Sequence, residues 1–429
     1  MPISLPRGVS DFITSEAIAR KELIDIAEEI FKRYGFYPIE TPSIENLDVL
    51  NAKSYGDEPS RQIYTIEGEN AGLRFDLTVP MARYIAMHSS MPLPFKRYQI
   101  GYTWRKDEPQ FMRRREFLQA DVDIVGSSSV TSDAEAIAAP ATALNEMGVD
   151  NYKIYINSRV FLNSILSYFG VSEQNQKQAI VTIDKMPKMS ADEIILQLSK
   201  LSNQEVAQKI VNFINQEGTN EEKLNILEAN IKDERLAEEI KKARKLLELL
   251  GSYNLDRELV IDLSLARGLD YYTGFVWEFI KTDDAGKRLP TIAAGGRYDN
   301  LIGIYAKSSL PACGTSIGID RVFEMLKTDA SEKSYTKLFV AYIGSENEVY
   351  AINTANKCRA AGIYTDMNLT ERNISKQLDY ANAIKCKYVM ILGNEERQGK
   401  VVRLKNMISG NEELLPLEEA IEIVKKDQE

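Results

Sequence analysis

At 429 residues, 44% apolar and 27% charged, the chain has length for two to four domains and none of the biases of disorder, collagen-like repeats or a disulfide scaffold. Cys313, Cys358 and Cys386 are far apart and lack C-x-x-C spacing, so neither a disulfide framework nor a zinc cluster is expected, and all three read as reduced and structural. A single histidine, His88, leaves little room for His-centred catalysis, and a net charge of −10 bears on solubility more than on what a local patch binds. No stretch reaches the roughly 18 to 20 apolar residues of a membrane span. The opening MPISLPRGVSDF has no apolar secretory core, so a cytoplasmic protein without membrane contact is expected.

From Ser15 to about Tyr34 the spacing of Leu23, Ala27, Ile30 and Phe31 predicts a helix, and GFYPIETPSIE, with Gly35, Pro38 and Pro42, ends it in an extended segment. The aromatic and β-branched segments RQIYTIEG, AGLRFDLTV and FKRYQIGYTWR predict an antiparallel sheet. REFLQADVDIVG alternates: Leu118, Ala120, Val122 and Ile124 belong to a core face, and Phe117, Gln119, Asp121 and Asp123 to a polar one. The connection KDEPQFMRRR, too long and polar for a minimal hairpin turn, brings Arg113, Arg114 and Arg115 beside that strand. A cationic pocket next to an anionic one follows, with guanidinium forks suited to phosphate and Phe117 offering a flat surface to a base. A solvated charge run over a solvated sheet face is the plainer alternative.

Between about Val171 and Gly251 the texture becomes that of amphipathic helices, with capping boxes at Ser190/Glu193 and Thr219/Glu222 and a closing run Leu236, Ile240, Ala243, Leu247, Leu250. Strand composition resumes in ELVIDLSLARGLDYYTGFVWEFI and TIAAGGRYDNLIG, so the helical block is expected to be a separate module inserted into one discontinuous sheet domain. Within LARGLDYYTG, Arg267 precedes Gly268 at a turn and Tyr271 and Tyr272 open the next strand; the paired glycines of AAGGRYDNL permit a close backbone approach. ACGTSIGIDRVFEML reads as a strand entering an amphipathic helix with Arg321 near its start. KTDASEKSYT resembles a linker, and from Lys337 strands alternate with helices as in a small α/β domain with a mainly parallel sheet. There Arg372, Lys376, Lys385, Lys387, Arg397, Lys400, Arg403 and Lys405 outnumber Asp379, Glu395 and Glu396, a basic excess that RNA phosphates require and solvated helix faces also display.

Taken in this order, the segments resemble class II aminoacyl-tRNA synthetases and, within them, the histidyl-tRNA synthetase family, over nearly the whole chain. YGFYPIETPSIE, with Pro42, is similar to the first class motif, WRKDEPQFMRRREFLQADVDIVG to the second and GTSIGIDRVFEML to the third, while LARGLDYYTG and AAGGRYD resemble the two histidine-specific signatures. The resemblance implies an α+β fold: an antiparallel catalytic sheet with flanking helices over 1–170 and 253–328, a helical insertion over 171–252, a linker over 329–336 and a C-terminal α/β anticodon-binding domain over 337–429. It implies activation of histidine by ATP to histidyl-adenylate and pyrophosphate, then transfer to the 3′ end of tRNA(His). Mg2+ would shield the polyphosphate, with protein ligands that the sequence does not assign, and a homodimer would form through the first motif.

Carried over by position, the resemblance gives Arg105 the α-phosphate of ATP, Arg113 and Arg321 the outer phosphates, and Phe117 with Arg321 the two faces of adenine. Arg267 would stabilise charge building on the α-phosphate. Asp76, Thr78 and Gln119 would hold the α-amino group of histidine, and Asp123 and Tyr272, with Tyr271 beside them, the imidazole. Gln110 and Arg115 would approach the tRNA acceptor end. LRFDLTVP and ADVDIVG carry aspartates where bacterial members have glutamates, a feature similar to the archaeal and eukaryotic branch. The alternatives are a non-catalytic histidine sensor, like the regulatory subunit of ATP phosphoribosyltransferase, and a synthetase for another amino acid of the subclass. The histidine signatures and the C-terminal module oppose the first, and LARGLDYYTG the second.

Overall fold

A computed structural model describes residues 3–52, 61–88, 90–266, 271–283, 287–326 and 334–427. The chain forms two compact units, one of residues 1–10 and 22–326, the other of residues 11–21 and 327–429. The first contains β1 (Tyr37–Pro38), β2 (Ile44–Asn46), β3 (Ala71–Leu73), β4 (Phe95–Trp104), β5 (Glu116–Val125), β6 (Tyr152–Ser158), β7 (Leu259–Ile261), β8 (Phe275–Lys281), β9 (Ala293–Arg297) and β10 (Ala312–Gly318). Eight of these make one sheet in the order β1-β4-β5-β10-β9-β8-β6-β7, while β2 and β3 pair separately. Only the outermost pairs, β1 with β4 and β6 with β7, run parallel.

The period-2 pattern of β5 sets the layers. Leu118, Ala120, Val122 and Ile124 are buried in the large core behind the sheet, packed with the helix Val130–Glu146. Alanines at 134, 136, 138, 139, 141 and 143 are buried along that helix, which lets backbone come close to backbone. Thr315 on β10 donates its hydroxyl to Ala136 O at 2.5 Å and accepts from the fully buried Trp277 Nε1 at 2.8 Å, so the largest core side chain leaves no indole N–H unsatisfied.

Both predicted capping boxes form, at Ser190/Glu193 and Thr219/Glu222. The helix Glu234–Ser252 buries Leu236, Ile240, Ala243, Leu246 and Leu250. Leu247, half-buried, packs against the same cluster, and Leu246 joins the buried face beside it. The helical block does not stand apart as a compact unit. Its apolar residues continue the cluster behind the sheet, and polar ties reinforce the seam: Ser158 Oγ donates to Glu239 Oε1 at 2.6 Å, Lys223 Nζ to Ile261 O at 2.8 Å, and Asn220 exchanges bonds with Leu259 O and Ile261 N.

Three local expectations are corrected. RQIYTIEG carries only an isolated bridge, Thr65 to Gly72, because the chain turns back at once and Ile66 N bonds Ala71 O at 2.9 Å. AGLRFDLTV leaves strand geometry after Leu73, since Asp76 Oδ1 accepts Val79 N at 2.9 Å and starts the helix Thr78–Met87. Tyr271 and Tyr272 precede the strand, which begins at Phe275.

The second unit holds β11 (Leu338–Tyr342), β12 (Thr365–Met367), β13 (Tyr388–Leu392), β14 (Val401–Asn406) and β15 (Glu412–Pro416), in the order β12-β11-β13-β14-β15. The first three are parallel, as expected; the β14–β15 hairpin adds an antiparallel edge. Part of the basic excess is neutralised locally, Arg403 by Glu396 at 3.0 Å, Lys405 by Glu412 at 2.7 Å and Lys387 by Asp427, while Lys376, Lys385 and Lys400 are exposed. All three cysteines are free and buried, and burial pushes the thiols up, Cys358 to about 11 and Cys386 to about 12.

Because helical block and sheet share one core, Ile240→Ala is expected to cost about 2–5 kcal/mol of the first unit's stability and to shift a single urea transition. Loss of the helical signal alone, with the sheet still folded, would contradict the shared core.

Candidate active site

On the other face of the sheet, register gathers polar side chains from three strands. Arg97, Gln99 and Gly101 of β4 stand opposite Asp123, Asp121 and Gln119 of β5, and Gly314, Ser316 and Gly318 of β10 flank the same three residues from the far side. Cross-strand neighbours on one face lie roughly 5 Å apart, so these groups share one environment.

That environment is a charge cluster removed from water. Arg97 is 0% exposed; its Nη2 lies 2.5 Å from Asp123 Oδ2, a charge contact without hydrogen-bond alignment, and donates to Leu77 O at 3.3 Å, while Nε and Nη1 find no acceptor among the described residues. Tyr298 Oη donates to Asp123 Oδ1. Gln119 Nε2 donates to Ser316 Oγ at 2.5 Å, and Gln119 Oε1 and Asp121 Oδ1 have no hydrogen-bond partner among the described residues. A buried acceptor left unmade costs about 1–3 kcal/mol, which a ligand N–H would recover. Burial pushes the Asp121 carboxyl up to about 7 and raises Asp123, with Arg97 opposing both. Glycine makes the room: a Cβ on Gly314 would land on the Asp123 carboxylate, and one on Gly296 would come 2.7 Å from the Tyr272 ring.

Two connected chambers result. The inner one, of about 50 Å3, is lined by Asp76, Thr78, Asp121, Asp123, Tyr271, Tyr272 and Tyr298. The outer one, of about 310 Å3, is lined by Arg113, Arg114, Phe117 and Arg321. Arg105, Gln119, Ala294 and Ser316 belong to both walls. Size and lining separate them: Asp76, Asp121 and Asp123 mark the first, while the second sets Arg105, Arg113, Arg114 and Arg321 beside Asp107, Glu278, Asp320 and Glu324.

The arginines are held in place. Arg105 donates Nε to Phe75 O at 3.1 Å, with its guanidinium 4.1 Å over the Phe75 ring and 5.1 Å from that of Phe117. Arg321 donates to Thr291 O at 2.6 Å and to Met112 O at 3.2 Å. Arg113 pairs with Asp107 at 2.6 Å and Arg114 with Glu324 at 2.5 Å, while Asp320 accepts Leu118 N at 2.9 Å. Among the described residues no group of three or more His, Cys, Asp or Glu could hold a metal ion, and no helix is long and apolar enough to cross a membrane.

The histidyl-tRNA synthetase family profile matches residues 8–322, and that of an anticodon binding domain matches residues 337–427. The chain belongs to the histidyl-tRNA synthetase family. Histidine–tRNA ligase of Korarchaeum cryptofilum is 38% identical over 94% of this chain and 94% of its own, and that of Clostridium tetani 36% identical over 99% and 98%. The crystal structure of histidyl-tRNA synthetase from Nostoc sp. PCC 7120 superposes with a TM-score of 0.86 at 28% identity, covering 100% of both chains. A Bacillus halodurans structure described as an ATP phosphoribosyltransferase regulatory subunit/histidyl-tRNA synthetase shares the fold, with a TM-score of 0.78 at 22% identity over 92% of this chain and 100% of that one. With an archaeal and a bacterial relative at nearly equal identity, overall similarity does not separate the branches that the aspartates distinguish.

In this histidyl-tRNA synthetase family member the predicted residues Asp76, Thr78, Gln119, Asp123, Tyr271 and Tyr272 meet in the inner chamber, Arg113, Phe117 and Arg321 in the outer, and Arg105 at the junction. Arg267 lies outside the described residues. Gln110 is exposed at the tip of the loop between β4 and β5. Arg115 lines neither chamber; its amide donates to Gly8 O at 2.7 Å and its Nε to Asp107 O at 3.0 Å. His88 is exposed and stacked on Tyr84, away from both chambers. Arg97, Tyr298 and Ser316 were not singled out by sequence, and Asp121 was placed only on the polar face of its strand. KRYQIGYTWR alternates as β5 does, and pairing the two strands would have set Arg97 against Asp123.

Asp121 supplies a pH test. Its folded value near 7 lies above the ordinary 3.8, so ionisation opposes folding: the penalty is absent below about pH 4, grows up to about pH 7 and stays constant above. Asp121→Asn is expected to stabilise the unliganded protein at about pH 8 by up to about 4 kcal/mol and far less at about pH 4.5. Urea titrations at both values check this; an equal gain at the two would show that burial does not strain the carboxyl.

Proposed function

We propose that the chain works as a histidine–tRNA ligase, joining histidine to ATP as histidyl-adenylate with release of pyrophosphate and then passing histidine to the 3′ end of tRNA(His). The observation that carries this is the common wall of Arg105 and Gln119 between an arginine-bearing chamber of about 310 Å3 and a smaller one lined by Asp76, Asp121 and Asp123. Activation needs that junction, because a carboxylate oxygen of the amino acid must attack the α-phosphorus.

In this reading adenine lies between Phe117 and Arg321, Arg113 and Arg321 hold the outer phosphates, and Arg105 takes the α-phosphate. The α-amino group of histidine sits against Asp76, Thr78 and Gln119, whose Oε1 awaits a donor. The imidazole N–H and ring nitrogen meet Asp123 and Tyr272, with Tyr271 closing the side. A pocket that hydrogen-bonds both ends of its substrate rejects analogues lacking those atoms by about 10⁴–10⁵. As the new P–O bond forms and the bond to pyrophosphate breaks, charge on the α-phosphate falls to Arg105 and, by resemblance, Arg267. A terminal ribose hydroxyl of the tRNA then attacks the activated carbonyl and AMP leaves. Mg2+ would arrive with ATP, held mainly by phosphate oxygens and bound water, with Asp107 and Glu324 as the carboxylates of the outer chamber nearest its arginines. It would shield the polyphosphate.

Gln110 and Arg115 are assigned to the acceptor end, and residues 337–429 to the anticodon, with 171–252 as an insertion between the two catalytic parts, 1–170 and 253–328. A homodimer through the first motif is supported by Tyr37 and Ile44, large apolar side chains 68% and 51% exposed on β1 and β2. A cytoplasmic location goes with this role. The histidine-sensor alternative is disfavoured by the match to an anticodon binding domain.

Histidine-dependent ATP–pyrophosphate exchange without RNA is the test. Exchange with histidine alone among the amino acids is expected, and Arg105→Ala should lower kcat by about 10²–10³, since two charges about 4 Å apart interact by roughly 4 kcal/mol at an effective dielectric near 20. Histidine binding without exchange in the wild type would identify a sensor.

A further inference from the structure

Arg97 leaves two of its nitrogens without an acceptor among the described residues; Arg297, at the end of β9, leaves none. Successive side chains of a strand point to opposite faces, and the chain here uses both. Tyr298 reaches forward to Asp123 Oδ1, while Arg297 reaches back to the first turn of the helix Val130–Glu146. There Nε and Nη2 grip the Asp133 carboxylate as a fork, at 3.0 and 2.8 Å, Nη2 also donates to Ser129 O at 3.2 Å, and Nη1 donates to Ser127 O at 3.0 Å and Asp299 Oδ1 at 3.1 Å. All five N–H groups of the guanidinium are thereby used. Asp133 is 1% and Arg297 8% exposed, and neither lines a chamber. The backbone at the same point is tied to the other pocket tyrosines. Thr273, the residue after Tyr272, donates its N–H to Arg297 O at 2.8 Å and accepts Asp299 N on its hydroxyl at 3.0 Å, so it brackets Tyr298 from both sides. Tyr298 N bonds Ala312 O at 2.7 Å, and its ring meets that of Tyr271 edge-on at 5.7 Å. Burial pushes the Asp133 carboxyl up to about 6, with Arg297 opposing. Buried pairs of this kind often add nothing to stability over a well-packed apolar pair, which leaves geometry as their contribution.

From this we propose that Arg297, locked by Asp133, is a positioning residue for the inner chamber: it fixes where the Tyr298 hydroxyl meets Asp123 and where Tyr272 stands, and so sets the affinity for the imidazole end of the substrate. The inference rests on the ligase reading for its placing of that end against Asp123 and Tyr272. A planar fork bonded along both edges holds one orientation, which a point charge on a flexible stem does not. Arg297 acts from behind the sheet and touches neither histidine nor ATP.

Two measurements keep the levels apart. Calorimetric titration with histidine, without ATP, reads the proposal, and pyrophosphate exchange reads the ligase reading, so either can fail alone. Asp133→Leu combined with Arg297→Met exchanges the pair for apolar side chains and is expected to keep a single thermal transition. Its Kd for histidine should rise about 10- to 150-fold, the weight of one hydrogen bond to a charged group, while its Kd for ATP stays within about two-fold of the wild type. Tyr298→Phe should weaken histidine binding by itself, and adding it to the pair variant should cost no more than about two-fold further, because both act through one contact. Unchanged histidine affinity in the pair variant, an equal loss for ATP, or effects of the pair and of Tyr298→Phe that multiply would each overturn the proposal. Where the pair variant shows no cooperative transition, Arg297→Lys, which keeps the charge and gives up the fork, carries the same three comparisons.

Discussion

The arrangement depends on one guanidinium. Arg97, fully buried beneath the polar face of the sheet, is the positive charge against which Asp121 and Asp123 are set. Removing a buried charge partner typically costs about 3–5 kcal/mol, so the β4–β5 register, and with it the placing of Gln119 and Phe117 two and three pairs along, is tied to this contact. Asp76 lines the same chamber, and Arg105 stands at its wall as the second nearby guanidinium.

The outer chamber is lined by arginines and carboxylates together. Its arginines are held by backbone carbonyls or by acidic partners, so orientation is fixed before a ligand arrives. Preorganised charge is worth most where water is excluded, because nothing has to reorient when charge develops. The two chambers meet at a shared wall of Arg105, Gln119, Ala294 and Ser316, a cation and a neutral amide beside two small residues.

Much of this was legible in the sequence because period-2 alternation in β5 assigns its residues to faces without any knowledge of neighbours. The cationic loop beside it was legible from its length and its run of arginines, and the capping boxes and the strand–helix alternation after Lys337 from spacing along the chain. What could not be read was what depends on pairing. Arg97 acquires meaning only when β4 is registered against β5, and Tyr298 only when the RYD segment is folded over Asp123. The independence assigned to the helical block failed because amphipathic helices look alike whether they pack on each other or on a sheet. RQIYTIEG has strand composition but too little length before its turn to build a ladder. The β14–β15 hairpin went unread beside the basic residues that drew attention there.

The bond from Arg115 N to Gly8 O makes the start of the chain a structural member of the loop between β4 and β5. A Cβ on Gly8 would come within 2.8 Å of both Arg115 and Pro109, so this strap has no slack. For anyone handling the protein, an affinity tag or fusion partner joined ahead of Pro6 would tug on the same loop that borders the outer chamber.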